Sequence, residues 1–187
     1  MKRIPLSILF VILAASALFV AACVAPPPPV AQSSDPMAAM HALEAANVAV
    51  VQRFYDEFSA GKAEVILEVH PEMLRMHYEG SVEDVPTQAI YEDLAAIKAN
   101  NPDLHAEIHT MIGVGDYVFT ELTWTATHTG EVFGLAATGK PYIHPGILLR
   151  RLENGIIVES WEVWDDLTLM NGLGFTPSWD EIVEGQP

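Results

Sequence analysis

The sequence predicts an α+β fold, with helices on one side of a curved antiparallel sheet. Three observations predict it. Apolar residues recur at helical spacings through the first half of the domain. Beyond Pro102 the apolar period changes to two, the mark of half-buried strands. Near the end, Asn154-Gly155 joins two strand-like runs and is a strong hairpin signal.

The chain opens with MKRIPLSILFVILAASALFVAAC, in which Lys2 and Arg3 precede an apolar run ending at Cys23. A charged start, an apolar centre and small residues before a cut point make residues 1–22 a secretory signal. The last four residues, VAAC, also fit the bacterial lipobox, in which Cys23 becomes the lipid-bearing first residue. Cys23 is the only cysteine of the 187 residues, so an internal disulfide is out of reach. The other use of so long an apolar run is an uncleaved membrane helix. Residues 23–40 follow as a lipid-anchored linker, and its four consecutive prolines favour an extended spacer. The expected location is extracytoplasmic, on the cell membrane, as a bacterial lipoprotein held by more than one acyl chain. Residues 41–187 remain as one domain, long enough for its own core.

Within the domain, Leu43, Val50, Val51, Phe54, Tyr55 and Phe58 recur at spacings of three, four and seven and predict a first helix, stopped at Gly61. AEVILEVH predicts a short second helix ending before Pro71. TQAIYEDLAAIKANN predicts a third, with Ile90, Leu94 and Ile97 on one side and Pro102 closing it. In DYVFTELTWTATHTG, Val118, Leu122, Trp124, Ala126 and His128 share one face of a strand, and Glu121, Thr123, Thr125 and Thr127 the other. YIHPGILLRRL and GIIVESWEVW predict two more strands, and DDLTLMNGLGF a short terminal helix.

Two hairpin registers are open. A two-residue Asn154-Gly155 loop pairs Glu153 with Ile156 and sets His144 opposite Asp165. A three-residue loop bulged at Gly155 pairs Leu152 with Ile156 and sets Gly146 opposite Glu162, with His144 diagonal to it. One residue of slip decides which carboxylate shares a face with His144.

The formal charge is −16; without Lys2 and Arg3 the rest of the chain holds 7 basic and 25 acidic residues, a net of −18. A surface that acidic repels nucleic acid. No Gly-rich phosphate loop follows a strand, and no GxSxG elbow is present.

Four stretches carry a family resemblance: VVQRFYDEFSAGK, NPDLHAEIHTMIGVGDYV, WTATHTGEVFGLAATGK and RRLENGIIVESWEVWDDLTLMNGLG. Across residues 43–174 the chain resembles the SnoaL-like polyketide cyclases, or ester cyclases, of the cone-shaped α+β barrel superfamily typified by nuclear transport factor 2. The resemblance implies a cone-shaped sheet with the N-terminal helices on its concave side, enclosing a pocket for a small hydrophobic, carbonyl-bearing ligand. It implies cofactor-free, metal-free aldol chemistry, in which a carboxylate takes a proton from a carbon flanked by two carbonyls. It also permits a homodimer joined sheet to sheet.

The family's acid/base position falls on Glu162, which favours the bulged register and leaves Asp165 as competitor, at the pocket mouth or capping the terminal helix. The family example has Asp there, so the base here sits one methylene farther out, about 1.5 Å. With Glu162 inward, Trp161 faces away and Trp164 returns inward. His128, at the end of an inward face, suits a donor to an enolate oxygen, or a core histidine bonded to a backbone carbonyl. His144 is placed to orient the base, or simply to pack. The family position near the cavity entrance falls on His77, and Trp124, Trp164 and Leu148 are expected in the pocket wall. The competing reading is a binding module, for a small molecule or a partner, that kept the cone and lost the reaction.

Overall fold

A computed structural model describes residues 35–78, 80–132 and 134–174. The predicted signal, Cys23 and the Pro-rich spacer as far as residue 34 lie outside the described residues.

The first helix, α1 (Pro36–Ser59), begins inside the predicted linker, because Asp35 caps it. Its Oδ1 accepts from the Met37 amide at 3.0 Å, and Pro36 occupies the first turn, where a missing N–H costs nothing. Val51, Phe54, Tyr55 and Phe58 are buried, as the spacing predicts, whereas Leu43 is exposed. This early part of α1 is held by hydrogen bonds to Gly115. The Glu44 side chain accepts from the Gly115 amide, and Asn47 donates to the Gly115 carbonyl. After the turn at Gly61 (φ +88°) comes α2 (Val65–Val69).

A hairpin that the sequence pattern does not announce follows: β1 (Met73–Tyr78) and β2 (Ser81–Pro86), turning at Gly80. β2 is an acidic, exposed edge strand with no apolar alternation to betray it. Next is α3 (Thr87–Asn100), with Ile90, Leu94 and Ile97 on its inward side. Buried Lys98 ties the helix down by donating to the carbonyls of Ser59, Pro102 and Leu104 at 2.7, 2.9 and 2.6 Å. The remaining elements are β3 (His105–Val114), β4 (Tyr117–Thr127), β5 (Pro141–Glu153), β6 (Ile156–Trp164) and α4 (Asp166–Leu173).

The strands form a six-stranded, curved, unclosed sheet in the order β2-β1-β6-β5-β4-β3. Every pairing is antiparallel except β1 with β6, which is parallel and makes the sheet mixed. The core lies between the inner face of the sheet and the helices, with Tyr55, Phe58, Ile66, Leu122, Leu148 and Ile157 fully buried.

The hairpin resolves the register question in a way neither alternative foresaw. Asn154 (φ 52°) and Gly155 (φ 79°) form a two-residue turn, and Glu153 pairs with Ile156. One pair farther on, Val158 is an extra residue in β6: Leu152 pairs with Ile157, but Arg151 pairs with Glu159. Beyond this bulge Leu148 faces Glu162 and Gly146 faces Trp164. The expected pairing of Gly146 with Glu162 is therefore two residues off, while the face is the one expected of the bulged register, because a two-residue offset preserves it.

Candidate functional site

Between the helices and the inner sheet lies a cavity of about 660 Å³, lined by residues of all four helices and of every strand except β3. Such a volume suits a small organic molecule. Apolar side chains make most of the wall, among them Phe54, Phe58, Leu94, Trp124 and Leu169. Asp93 of α3 and Tyr142 of β5 also reach the lining, and the other polar groups gather at three places.

The first is on β6. Glu162 lines the cavity, and its carboxylate accepts from Ser160 Oγ at 2.8 Å and from Trp164 Nε1 at 3.0 Å. Residues 160, 162 and 164 alternate with outward residues, so strand geometry alone brings these groups together. These two donors fix the position of the side chain on the cavity wall. Trp161 turns outward, and there it stacks on His77 with centroids 4.5 Å apart.

The second is on β5 and α4. His144 Nε2 donates to Asp166 Oδ1 at 2.8 Å, and Tyr78 donates to the other carboxylate oxygen at 3.1 Å. Burial lowers the His144 pKa, against the opposing pull of Asp166. A neutral imidazole with Nε2–H committed to Asp166 keeps its lone pair at Nδ1, as a base oriented by a carboxylate does. Trp164 touches both groups: its ring lies 4.9 Å from that of His144 and its N–H is on Glu162.

The third is the helix side. Arg150 Nη1 donates to the Tyr55 hydroxyl at 2.7 Å, and burial pushes the Tyr55 pKa up to about 12, keeping its proton in place. His70 lines the cavity with Nδ1–H donating to the Ile66 carbonyl at 2.8 Å. Burial holds its pKa down at about 4, a neutral imidazole.

The predicted site residues divide accordingly. Glu162, His144, Trp124 and Trp164 meet at the cavity. Leu148 pairs with Glu162 but lies wholly buried outside the lining. His128 is a core residue: it is wholly buried, its Nδ1 is 3.1 Å from Thr138 Oγ1, and its ring packs edge-on against Tyr142, a residue of the cavity lining. Asp165 caps α4, accepting from the Thr168 amide and hydroxyl at 2.9 and 2.6 Å, and those bonds lower its pKa. His77 is on the outer face, because β1 runs parallel to β6 in a register that pairs it with outward Trp161. There it bonds Glu159 at 2.8 Å.

Sequence reasoning missed Asp166, Arg150, Tyr55, Tyr78 and His70. For Arg150 a signal existed: it alternates with Leu148 and Leu152, a cation on an apolar face. Asp166 was masked by Asp165, since at a strand-to-helix junction either of two adjacent acids can cap. His105 and His109, spaced as helical ligand pairs are, fall on β3 and bond separately, to the Asp103 carbonyl and to Thr123. Among the described residues no group of three or more His, Cys, Asp or Glu is placed to hold a metal ion.

Solved structures share this architecture. AclR from Streptomyces galilaeus superposes with a TM-score of 0.65 at 23% identity, over 72% of this chain and 99% of that one. TsrD from Streptomyces laurentii gives a TM-score of 0.62 at 18% identity, over 71% and 97% of the two chains. A SnoaL-like polyketide cyclase from Agrobacterium tumefaciens gives 0.56 at 15%, over 67% and 95%. At these identities the likeness speaks for the fold. No protein of curated function matches the sequence. The sequence family described as SnoaL-like polyketide cyclase matches residues 49–173, most of the chain and every element from the middle of α1 to the end of α4, and the chain belongs to that family.

Proposed function

We propose that the domain performs cofactor-free acid/base chemistry of the aldol type on an apolar, carbonyl-bearing small molecule. One observation carries the reading: a carboxylate, Glu162, held by two donors on the wall of a largely apolar cavity. Glu162 removes a proton from carbon between two carbonyls, and the enolate attacks a second carbonyl of the same molecule. The proton held by Glu162 then passes to the alkoxide formed, and the His144–Asp166 pair, across Trp164, orients the ligand with His144 Nδ1 accepting from the hydroxyl that results.

The test uses 1-phenylbutane-1,3-dione, whose C2 protons exchange with deuterium only after a base removes them. The wild-type chain should accelerate that exchange above the buffer rate, and Glu162→Gln should lose about 10²–10⁴-fold of the acceleration. Binding measured alongside separates catalyst from carrier. A carrier would bind the probe and leave its exchange at the buffer rate in both proteins.

Two further parts of the reading concern where the domain works. Acylated Cys23 would hold it on the outer side of the membrane. The outer sheet face exposes Ile112, Ile143, Ile147, Leu149 and Val163, which supports a sheet-to-sheet homodimer.

A further inference from the structure

Arg150 lines the cavity, yet the chemistry assigned to Glu162 and the His144–Asp166 pair leaves it without a task. It is 5% exposed and sits between Leu148 and Leu152 on the inward face of β5. A guanidinium keeps its charge throughout the pH range of a folded protein. Buried charges are ordinarily paired, because an unpaired one forfeits its hydration. Among the described residues no carboxylate oxygen comes within 4.0 Å of it. Its bond to the Tyr55 hydroxyl is joined by the faces of the Phe54 and Tyr55 rings, each with its centroid 4.9 Å from Cζ. Nε has no acceptor among the described residues. Most of a five-donor fork is thus unused beside an apolar hollow.

Glu162 is the neighbour that gives it meaning. Arg150 pairs with Ser160 across the strands, and the Ser160 hydroxyl donates to Glu162 Oε1. The carboxylate is thereby tied back along β6 towards the guanidinium, and the Tyr55 hydroxyl lies in the field of both charges. A base and a cation on adjacent strands face one apolar volume without bonding each other.

We propose that Arg150 is a catalytic residue of this reaction, its guanidinium holding the ligand carbonyl oxygen on which negative charge forms as Glu162 takes the proton. The inference rests on the Glu162 reading above. In the step, the C–H bond between the two carbonyls breaks and its proton goes to a Glu162 oxygen. The C–H electron pair becomes the carbon–carbon double bond of the enolate, and the carbonyl π pair moves onto oxygen. Glu162 becomes neutral as that oxygen becomes anionic, so the net charge of the buried space does not change. A fixed cation in a water-poor site stabilises such a charge without reorganising.

The test is ionisation of the bound dione, whose enolate absorbs at longer wavelength than its neutral form. The full-length chain in detergent, with Arg150→Met and Glu162→Gln variants, is titrated with the probe. Binding is followed by Trp fluorescence, and absorbance is scanned against pH. On the wild type the probe should ionise about 1 pH unit below its free value, the size of effect of a nearby opposite charge. On Glu162→Gln the shift should grow, because the enolate no longer shares the space with a carboxylate. On Arg150→Met it should vanish while the neutral probe still binds. A probe that binds the wild type and Glu162→Gln but ionises there as it does free overturns the role of Arg150, even if the Met variant does not fold. The Glu162 reading would then still stand on its exchange assay. A shift retained in Arg150→Met overturns the inference alone, and failure of the probe to bind at all removes both.

Discussion

Replacing His70 by Gln should flatten the pH dependence of stability between about pH 6.5 and pH 4. His70 packs edge-on against Phe54, with centroids 5.7 Å apart, and donates from Nδ1 to the Ile66 carbonyl. Burial takes its pKa from 6.5 to about 4; the Ile66 bond resists, and the charge of Arg150 adds to the fall. The unfolded chain therefore binds a proton in this window that the folded chain does not. Stability rises with pH wherever the unfolded state holds more protons, so it is lost on acidification through the window and level on either side. The gap between 6.5 and about 4 is worth about 3 kcal/mol. Gln keeps a donor for the Ile66 carbonyl and cannot be protonated. Urea unfolding followed by Trp fluorescence at pH 7, 5.5 and 4.5 reads the difference. About 2.4 kcal/mol of that gap is crossed between pH 7 and pH 4.5, so with a slope of about 2 kcal/mol per molar the wild-type midpoint should fall by about 1.2 M more than that of the variant. His144, also lowered, is present in both proteins and cancels. Parallel curves for the two proteins would refute the reasoning.

Three shorter predictions follow from other features. Asp165→Ala removes the α4 cap and should cost about 1 kcal/mol, seen as a lowered thermal midpoint, with probe exchange retained. A loss of exchange would return Asp165 to the chemistry. Val163, 71% exposed, sits in the outer apolar patch, so Val163→Glu should turn a dimer into a monomer in sedimentation velocity; a wild-type monomer refutes the pairing. Cys23→Ser should move the protein from the membrane to the soluble fraction, and continued membrane association would point to a retained apolar helix.

Period and punctuation carried most of the fold. The apolar rhythm of α1 and α3, the alternation of β4 and the Asn154-Gly155 turn were legible because each is a local signal with a local cause. β1 and β2 were not, since β1 is short and owes its place to parallel pairing with β6, eighty residues away, and β2 is an acidic edge strand held by β1 alone. At the site, Glu162 came from the family resemblance, whereas Arg150 could have come from alternation alone. His128 shows the limit of that rule. Its face is inward as the period demands, but inward means core or cavity according to what packs above it: His128 is wholly buried, while its neighbour Tyr142 lines the space. Asp166 reaches His144 only because of the bulge, which no residue type announces.

That bulge gives the hairpin one spare residue between its turn and the cavity. Loss of the single codon for Val158 would leave every reactive side chain in the gene. Leu152 with Ile157 and Arg151 with Glu159 would become consecutive pairs of a regular ladder, so Glu162 and Trp164 would keep their inward faces. A lineage carrying this hairpin can therefore lose one residue beside the turn and keep its lining, whereas a second loss, with no spare residue left, would bring Trp161 and Val163 into the hollow.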